Sequence, residues 1–542
     1  MPPDIADLGT PERPCWVGDV ALPREQQGMK VLGTPLGTDE FVRAFLAEKR
    51  QEHDLLLGRI PAVPDLQASW LLLLFCANAR CNYYLRALPP SLVREFAESH
   101  DHALLNCLQQ LLGNEGPMPF QALHTRRAQL PLRCGGLGLR SAVRLREAAN
   151  WASWADTLPL LAERHPVLVG HILPMLNGSA VAAAPSVQEL LASVIVLQAE
   201  GFQVPTWASI LAGTRPAQHN GDEQADEIGD VARGWQREAS VARDAAERDA
   251  LLSDLNSPSR ALLLSQAGPM AARAFTAIPT TPESTIPQQH MRVLLLRRLR
   301  LPLPFAEARC ACGARLDIFG DHVTACSRAG VLRGRAIPLE VAMARVCREA
   351  GSRVSTNVFL RDMNIDDAVA DARQIEVVAN GLPMWNGAQV AIDTTMVSPV
   401  TANGMARPSA DVRPGVPCES IIREKRRRKY PELLRAGRCR LFVFALEVGG
   451  RWDKGALRFL RKLAFGRARA VPDWLQASTA HAYLYRWSAM LAVAAQKAYA
   501  ATLLRLPLDR EIVNGEVPAD SDVVADARFG APVEPSRLPV RA

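Results

Sequence analysis

Residues 371–397 read DARQIEVVANGLPMWNGAQVAIDTTMV. Gln374–Val378 and Gln389–Val397 within them are short apolar runs set off by Asn, Gly and Pro, the pattern of strands packed on a core. Upstream, Val354–Leu360 is a third such run. Before it, Pro338–Ala350 reads as an amphipathic helix carrying Leu339, Val341 and Val346. Downstream come a basic helix over Cys418–Leu434 and then Cys439–Val448, CRLFVFALEV, a buried strand. The order helix, three strands, helix, strand predicts an α/β domain, closed by further helices near 453–466 and 475–504.

The N-terminal half reads differently. Amphipathic patterns from Phe41, over Asp65–Leu88, over Ser91–Leu112 and over Ser141–Leu161 predict an all-helical region at 31–215. Prolines at 2, 3, 11, 14 and 23 break up residues 1–30. Between Gly221 and Asp254 there are ten acidic and four basic residues and few large apolar ones, and 257–290 is rich in Ser, Pro and Thr. Residues 216–290 are therefore expected to be a linker with some helix. The segment from 507 onward, rich in Pro and acid, is expected to be a loose tail. The chain is thus multidomain, mostly α in its first half and α/β in its second.

At 542 residues, with 48% hydrophobic and 22% charged, the composition is that of a globular chain. Eleven scattered cysteines suit a reducing compartment better than a disulfide scaffold. No secretory signal opens the sequence. The longest apolar stretch, Trp70–Cys76, is far short of the roughly 20 residues that span a bilayer. The formal charge of +7 is unevenly placed: Glu419–Arg469 holds 16 basic and 5 acidic residues, a net +11, which leaves −4 for the remainder. The run Arg423–Lys429, REKRRRK, with Arg423, Arg426, Arg427 and Arg428, is suited to contact phosphate without reading base sequence. It could equally be a solvated helix face or a nuclear import signal. Tyr430 beside it, and Arg297 and Arg298 of the basic segment RVLLLRRLR at 292–300, are further candidate nucleic-acid contacts.

Two constellations carry chemistry. Cys310, Cys312, His322 and Cys326 fall within 17 residues, CACGARLDIFGDHVTAC, with Gly313 and Gly320 available for turns. Three thiolates and an imidazole can close a tetrahedral Zn²⁺ site with no open position, so the zinc would be structural. The second is the pair Asp371, at the head of one strand, and Asp393, inside the next. A carboxylate in a half-buried strand is costly unless paired or bound to a cation. Two such acids could hold Mg²⁺ or Mn²⁺ against a phosphodiester while Lys425 or Lys429 neutralises developing charge, and Glu340 or Glu349 could add a third carboxylate. Spacing alone leaves open that Asp371 belongs to a polar loop and that Asp393 caps a strand.

The stretch RLPLPFAEARCACGARLDIFGDHVTAC, followed by a helix, DARQIEVV, QVAIDTTMV and KRRRKYPELL, resembles the C-terminal half of non-LTR retrotransposon proteins that carry a restriction-like endonuclease. The resemblance implies a Cys-Cys-His-Cys knuckle at 291–335 and a PD-(D/E)-x-K nuclease at 336–506. Its catalytic acids would be Asp371 and Asp393, its lysine Lys425, and its Lys-Tyr pair Lys429 and Tyr430. Ala370 stands where that pattern has Pro, and Thr395 where it has Lys. WVGDVALPREQQGMKVLGTPLG and DLQASWLLLLFCANARCNYYLRALPP resemble the end of the palm and the thumb of the same family's reverse transcriptase. The family's aromatic-x-Asp-Asp turn is missing: Asp366-Asp367 follows Asn364-Ile365. The resemblance therefore implies a fragment beginning just after the polymerase active site. It would bind DNA and RNA and nick DNA with Mg or Mn. It would have no polymerase activity, no membrane and no small-molecule substrate. It would work in the nucleus or in a cytoplasmic ribonucleoprotein.

Overall fold

A computed structural model describes residues 21–113, 120–182, 184–214, 234–304, 309–329, 332, 334–363, 365, 369–508 and 517–530. Residues 1–20, 215–233 and the Asp366-Asp367 pair, all subject to expectations above, lie outside the described residues.

The described chain opens with a hairpin, β1 (Gly28–Val31) and β2 (Thr34–Gly37), paired antiparallel across Leu32-Gly33. This corrects the all-helical expectation for 31–215. The strands are four residues each and mostly exposed, so they carry little apolar alternation to read. Helices follow: α1 (Asp39–Arg59), α2 (Arg94–Leu112) and α3 (Ala142–Arg164). Side-chain N-caps start α1 at Thr38 and α3 at Ser141. The WLLLLFC stretch lies in a helical segment that loosens into a π-turn at Leu72–Ala77 and buries Trp70, Leu73 and Leu74.

From residue 234 onward the expected linker is instead a packed part of the molecule. Helix α4 (Trp235–Asp254) lies on α3, with the rings of Trp235 and Trp151 5.7 Å apart. Its buried polar residues are paired: Arg243 donates to Glu147 at 2.8 Å, and Asp244 accepts from Arg133 at 3.1 Å and Arg140 at 3.0 Å. The segment hides few large apolar side chains, which is why its composition resembled a linker. The Ser/Pro-rich stretch beyond it is stitched to the N-terminal helices. Gln67 donates to the carbonyls of Ala277 and Ser284, both at 2.9 Å, and accepts from the Ile286 amide at 2.8 Å. The Trp70 indole donates to Phe275 O at 2.9 Å.

Helix α5 (Gln288–Leu299) is buried on nearly every side from Met291 onward and runs through the core. After it come α6 (Ile337–Glu349), β3 (Arg353–Phe359), β4 (Gln374–Asn380), β5 (Gln389–Val397), α7 (Val416–Glu424) and β6 (Cys439–Glu447). The sheet order is β3-β4-β5-β6. The first three strands are antiparallel neighbours, and β6 lies parallel to β5, reached by the crossover that contains α7. One face, with Val377, Ile392, Phe442 and Phe444, packs on α6, α8 (Lys454–Ala468) and α9 (Asp473–Leu504). A smaller cluster around Ala391, Tyr430, Leu433 and Cys439 sits under the crossover. The segment expected to be a loose tail contains a helix: α10 (Asp520–Gly530) docks on α8 and α9 through Asp520, which accepts from Tyr483 at 2.5 Å and Arg467 at 2.9 Å. Among the described residues no helix is long and apolar enough to cross a membrane.

Candidate functional site

The knuckle assembles as the spacing predicts. Cys310 sits in a tight turn where Cys310 N donates to Ala314 O at 2.9 Å and Gly313 N to Cys310 O at 2.8 Å. Gly313 has φ +91°, a conformation that glycine adopts without strain. Asp317 organises the return: its carboxylate accepts from the amides of Phe319, Asp321 and His322 at 2.8–3.0 Å. It is a turn residue, as its place before Gly320 suggests. The ligand atoms of Cys310, Cys312, His322 and Cys326 all lie within 4.8 Å of one another. The Cys310 and Cys326 sulfurs are 3.8 Å apart, and Cys312 Sγ is 3.3 Å from His322 Nε2. Hydrogen bonds, chiefly from the Ala314 amide, hold the Cys312 thiol down to about 7. This Cys3His set fits a metal such as zinc in both donor type and proximity. The other imidazole nitrogen, His322 Nδ1, lies 2.8 Å from Ala402 O, which aims Nε2 at the thiols. Ala402 belongs to the Pro- and Gly-rich insert after β5, a tether with no sign in the local sequence. Arg335 adds another, donating to Thr324 O and to Met396 O at 2.8 and 2.9 Å.

The second constellation centres on Asp393, which is 0% exposed. Beyond α7 the helix widens into a π-turn over Lys425–Lys429, closed by Tyr430 N donating to Lys425 O at 2.8 Å. The wider turn brings three side chains from one short segment onto one carboxylate. Lys425 Nζ contacts Asp393 Oδ2, Lys429 Nζ lies 3.3 Å from Oδ1, and the Tyr430 hydroxyl donates to Oδ1 at 3.1 Å. Burial and the charge of Asp393 keep the phenol protonated well past its usual range.

Asp371 is not part of this group. It is half exposed and turned to its neighbour Arg373, accepting from the Arg373 amide at 2.9 Å and guanidinium at 2.6 Å. Those bonds hold its carboxyl below the usual range. Arg373 in turn grips Glu432 and the Lys429 carbonyl at the end of the π-turn. The acid that faces Asp393 is Glu376. In the β4–β5 ladder Val377 pairs with Ile392, so Glu376 falls opposite Asp393. Burial first, then the charge of Asp393, pushes Glu376 up to about 8. Its Oε2 is buried with no hydrogen-bond partner, and Lys429 Nζ is 3.9 Å from its other oxygen. The argument that singled out Asp393, an acid inside an apolar strand, applies equally to Glu376 in QIEVV. Glu340 at the start of α6 is also raised, by burial and by Asp393. Glu349 is elsewhere: buried, it accepts from Arg486, Arg345 and the Trp487 indole.

The acids do not already surround a common point. Among the described residues, Cys310, Cys312, His322 and Cys326 are the one group of three or more Cys, His, Asp or Glu side chains close enough to share an ion. The Asp393 site is instead a carboxylate neutralised by two ammonium groups and flanked by two acids.

The candidate phosphate contacts divide. Arg423, Arg426, Arg427 and Arg428 are exposed around the π-turn. Tyr430, Arg297 and Arg298 are not available to a ligand. Arg297, 4% exposed, donates to Tyr499 Oη at 2.9 Å and Phe319 O at 2.8 Å and pairs with Asp321. Arg298, 2% exposed, donates to the carbonyls of Gly136, Leu132 and Gln266 at 2.7–3.1 Å. No protein-family model matches the sequence, and no curated protein matches it.

Proposed function

We propose that this chain is a retrotransposon-derived nucleic-acid-binding protein whose β3–β6 region is a restriction-like endonuclease that nicks DNA, and that it lacks a polymerase. The observation that carries the proposal is the convergence of Lys425, Lys429, Tyr430 and Glu376 on the buried Asp393, beneath four exposed arginines. The four arginines would seat a phosphate backbone, and the π-turn between them would present the lysines to the scissile phosphodiester. The buried, unpartnered Glu376 oxygen and the hard oxygen donors of Asp393, Glu376 and Glu340 match Mg²⁺ or Mn²⁺ in donor type, and they would have to draw together to share one ion. When bound, such an ion would supply an activated water and stabilise the leaving oxygen. Lys425 and Lys429 would then turn from Asp393 toward the phosphate and offset its developing negative charge. Glu376, poised near neutrality, can give up its proton as a cation arrives. Zinc at Cys310, Cys312, His322 and Cys326 would be structural, and the protein would act in the nucleus, where chromosomal DNA is reached.

A second reading is a non-catalytic DNA- or RNA-binding protein. It is favoured by the ion pair of Lys425 with Asp393, which places an ammonium where the metal would sit. Plasmid nicking by the full chain with Mg²⁺ or Mn²⁺ separates the two. Nicking that disappears in Asp393→Asn and Glu376→Gln supports the nuclease. Binding without nicking in the unaltered protein supports the second reading. Equal nicking by the unaltered protein and Asp393→Asn removes the assigned site.

A further inference from the structure

Helix α8 lies on the opposite face of the sheet from the crossover and its Asp393 site. Its Leu457, Phe459, Leu460 and Leu463 enter the main core, while Tyr430 and Leu433 belong to the separate cluster under the crossover. The outward stripe of α8 reads Lys454, Arg458, Lys462, Phe465 and Arg469, spaced by four, four, three and four residues, and every one is exposed. From Lys454 to Arg469 there is no acidic residue. A solvated cationic face needs no aromatic residues, yet one incompletely covered ring lies in this stripe and two more lie on segments adjoining α8. Phe465, in the stripe, is 55% exposed, and Trp474, five residues past Arg469, is 80% exposed. Trp385, 40% exposed, comes from the β4–β5 loop. That loop is laid against the helix: Trp385 stacks beside Phe459 with ring centres 6.2 Å apart, and Pro383 presses on Gly466 so closely that a Cβ there would stand 2.5 Å from Pro383 Cγ. The neighbouring acids are engaged. Asp473 accepts from Gln476 at 2.8 Å, Asp453 caps α8 through the Gly455 amide, and Asp520 is held by Arg467 and Tyr483.

We propose that this stripe with its aromatic residues is a docking track for single-stranded DNA, distinct from the Asp393 face. Guanidinium and ammonium groups spaced along a helix match a phosphate backbone, and exposed rings offer surfaces on which unpaired bases stack; duplex bases are already stacked and cannot use them. The assignment to DNA rests on the proposed nicking activity, because a nick on one face of the sheet frees a strand end for the other.

The test is fluorescence anisotropy of the full chain with a labelled oligothymidine of about 20 nucleotides, beside a duplex of equal length and an oligouridine strand. Phe465→Ala and Trp474→Ala are each expected to weaken oligothymidine binding roughly tenfold while duplex affinity stays within about twofold. Both side chains are exposed, so the fold has little reason to respond, and matching melting curves check this. Loss of affinity for single strand and duplex alike, or no loss in the double variant, overturns the track. Tighter binding of oligouridine overturns its assignment to DNA. Asp393→Asn is expected to leave oligothymidine binding intact, so a failure of the nuclease reading and a failure of the track are seen separately.

Discussion

Two basic segments of this chain look alike on paper and meet opposite fates. Arg292–Arg300 reads RVLLLRRLR and Arg423–Lys429 reads REKRRRK. In the first, arginines and leucines share a helix that is buried from Val293 to Leu299, so Arg297 and Arg298 are carried into the core with it. Arg298 then donates to three backbone carbonyls through Nε and Nη2 while its Nη1 is buried without a partner, and Arg297 is met by Asp321, Tyr499 and Phe319. The second run has no apolar residue to draw it inward. Four of its cations stay in water, and two lysines bend onto one buried acid. A run of positive charge therefore stays in water only where the element that carries it is not itself buried.

The contrast breaks most visibly if the buried cation is removed. Arg298→Ala strands the carbonyls of Gly136, Leu132 and Gln266 in the interior, and a loss of about 3 kcal/mol or more is expected in chemical denaturation. A change under about 1 kcal/mol would mean that Arg298 is not the stitch described.

A smaller effect is expected from pH. Glu376 stands at about 8 in the folded protein against a usual 4.5, so the folded state holds a proton that the unfolded chain has lost. That contribution is full below pH 4.5 and vanishes as pH rises through about 8. Melting temperature should therefore fall across this window, and Glu376→Gln should flatten part of the fall. Glu447, raised to about 7 by burial, adds a decline of the same sign and keeps the flattening incomplete. A slope unchanged by Glu376→Gln would show that the acid does not titrate in the folded state as described.

The smallest effect on stability belongs to the exposed run. Replacing Arg426, Arg427 and Arg428 with Ala should alter unfolding by no more than about 0.5 kcal/mol. DNA binding should nevertheless weaken, and its log-log salt slope should drop by up to about 3. A salt response equal to that of the unaltered protein would remove this run from the interface.

What could be read from the sequence follows the distance over which each feature is decided. The knuckle was legible because its four ligands and its turns lie within 17 residues. The sheet strands were legible to within a residue or two because β4, β5 and β6 each bury an apolar run of their own, while β3, largely unburied, is marked by its Val, Thr and Phe residues. The partner of Asp393 was not: choosing Glu376 over Asp371 requires the β4–β5 register, which the sequence does not print. Asp371 looked eligible from its place at a strand head, but Arg373, two residues on, claims it first. The 234–290 region was misjudged because its few buried leucines, such as Leu251, Leu262 and Leu263, are supplemented by Ala, Trp235 and paired ions that composition does not mark as a core.

The contact of His322 with Ala402 also orders events in time. The knuckle ligands leave the ribosome before β5 and the insert, so a metal can fix the knuckle while Ala402 is still unmade. The contact closes a loop of 80 residues, and the entropic cost of closure falls on the later segment as it finds a partner already rigid. A chain made without metal meets that step with both ends mobile.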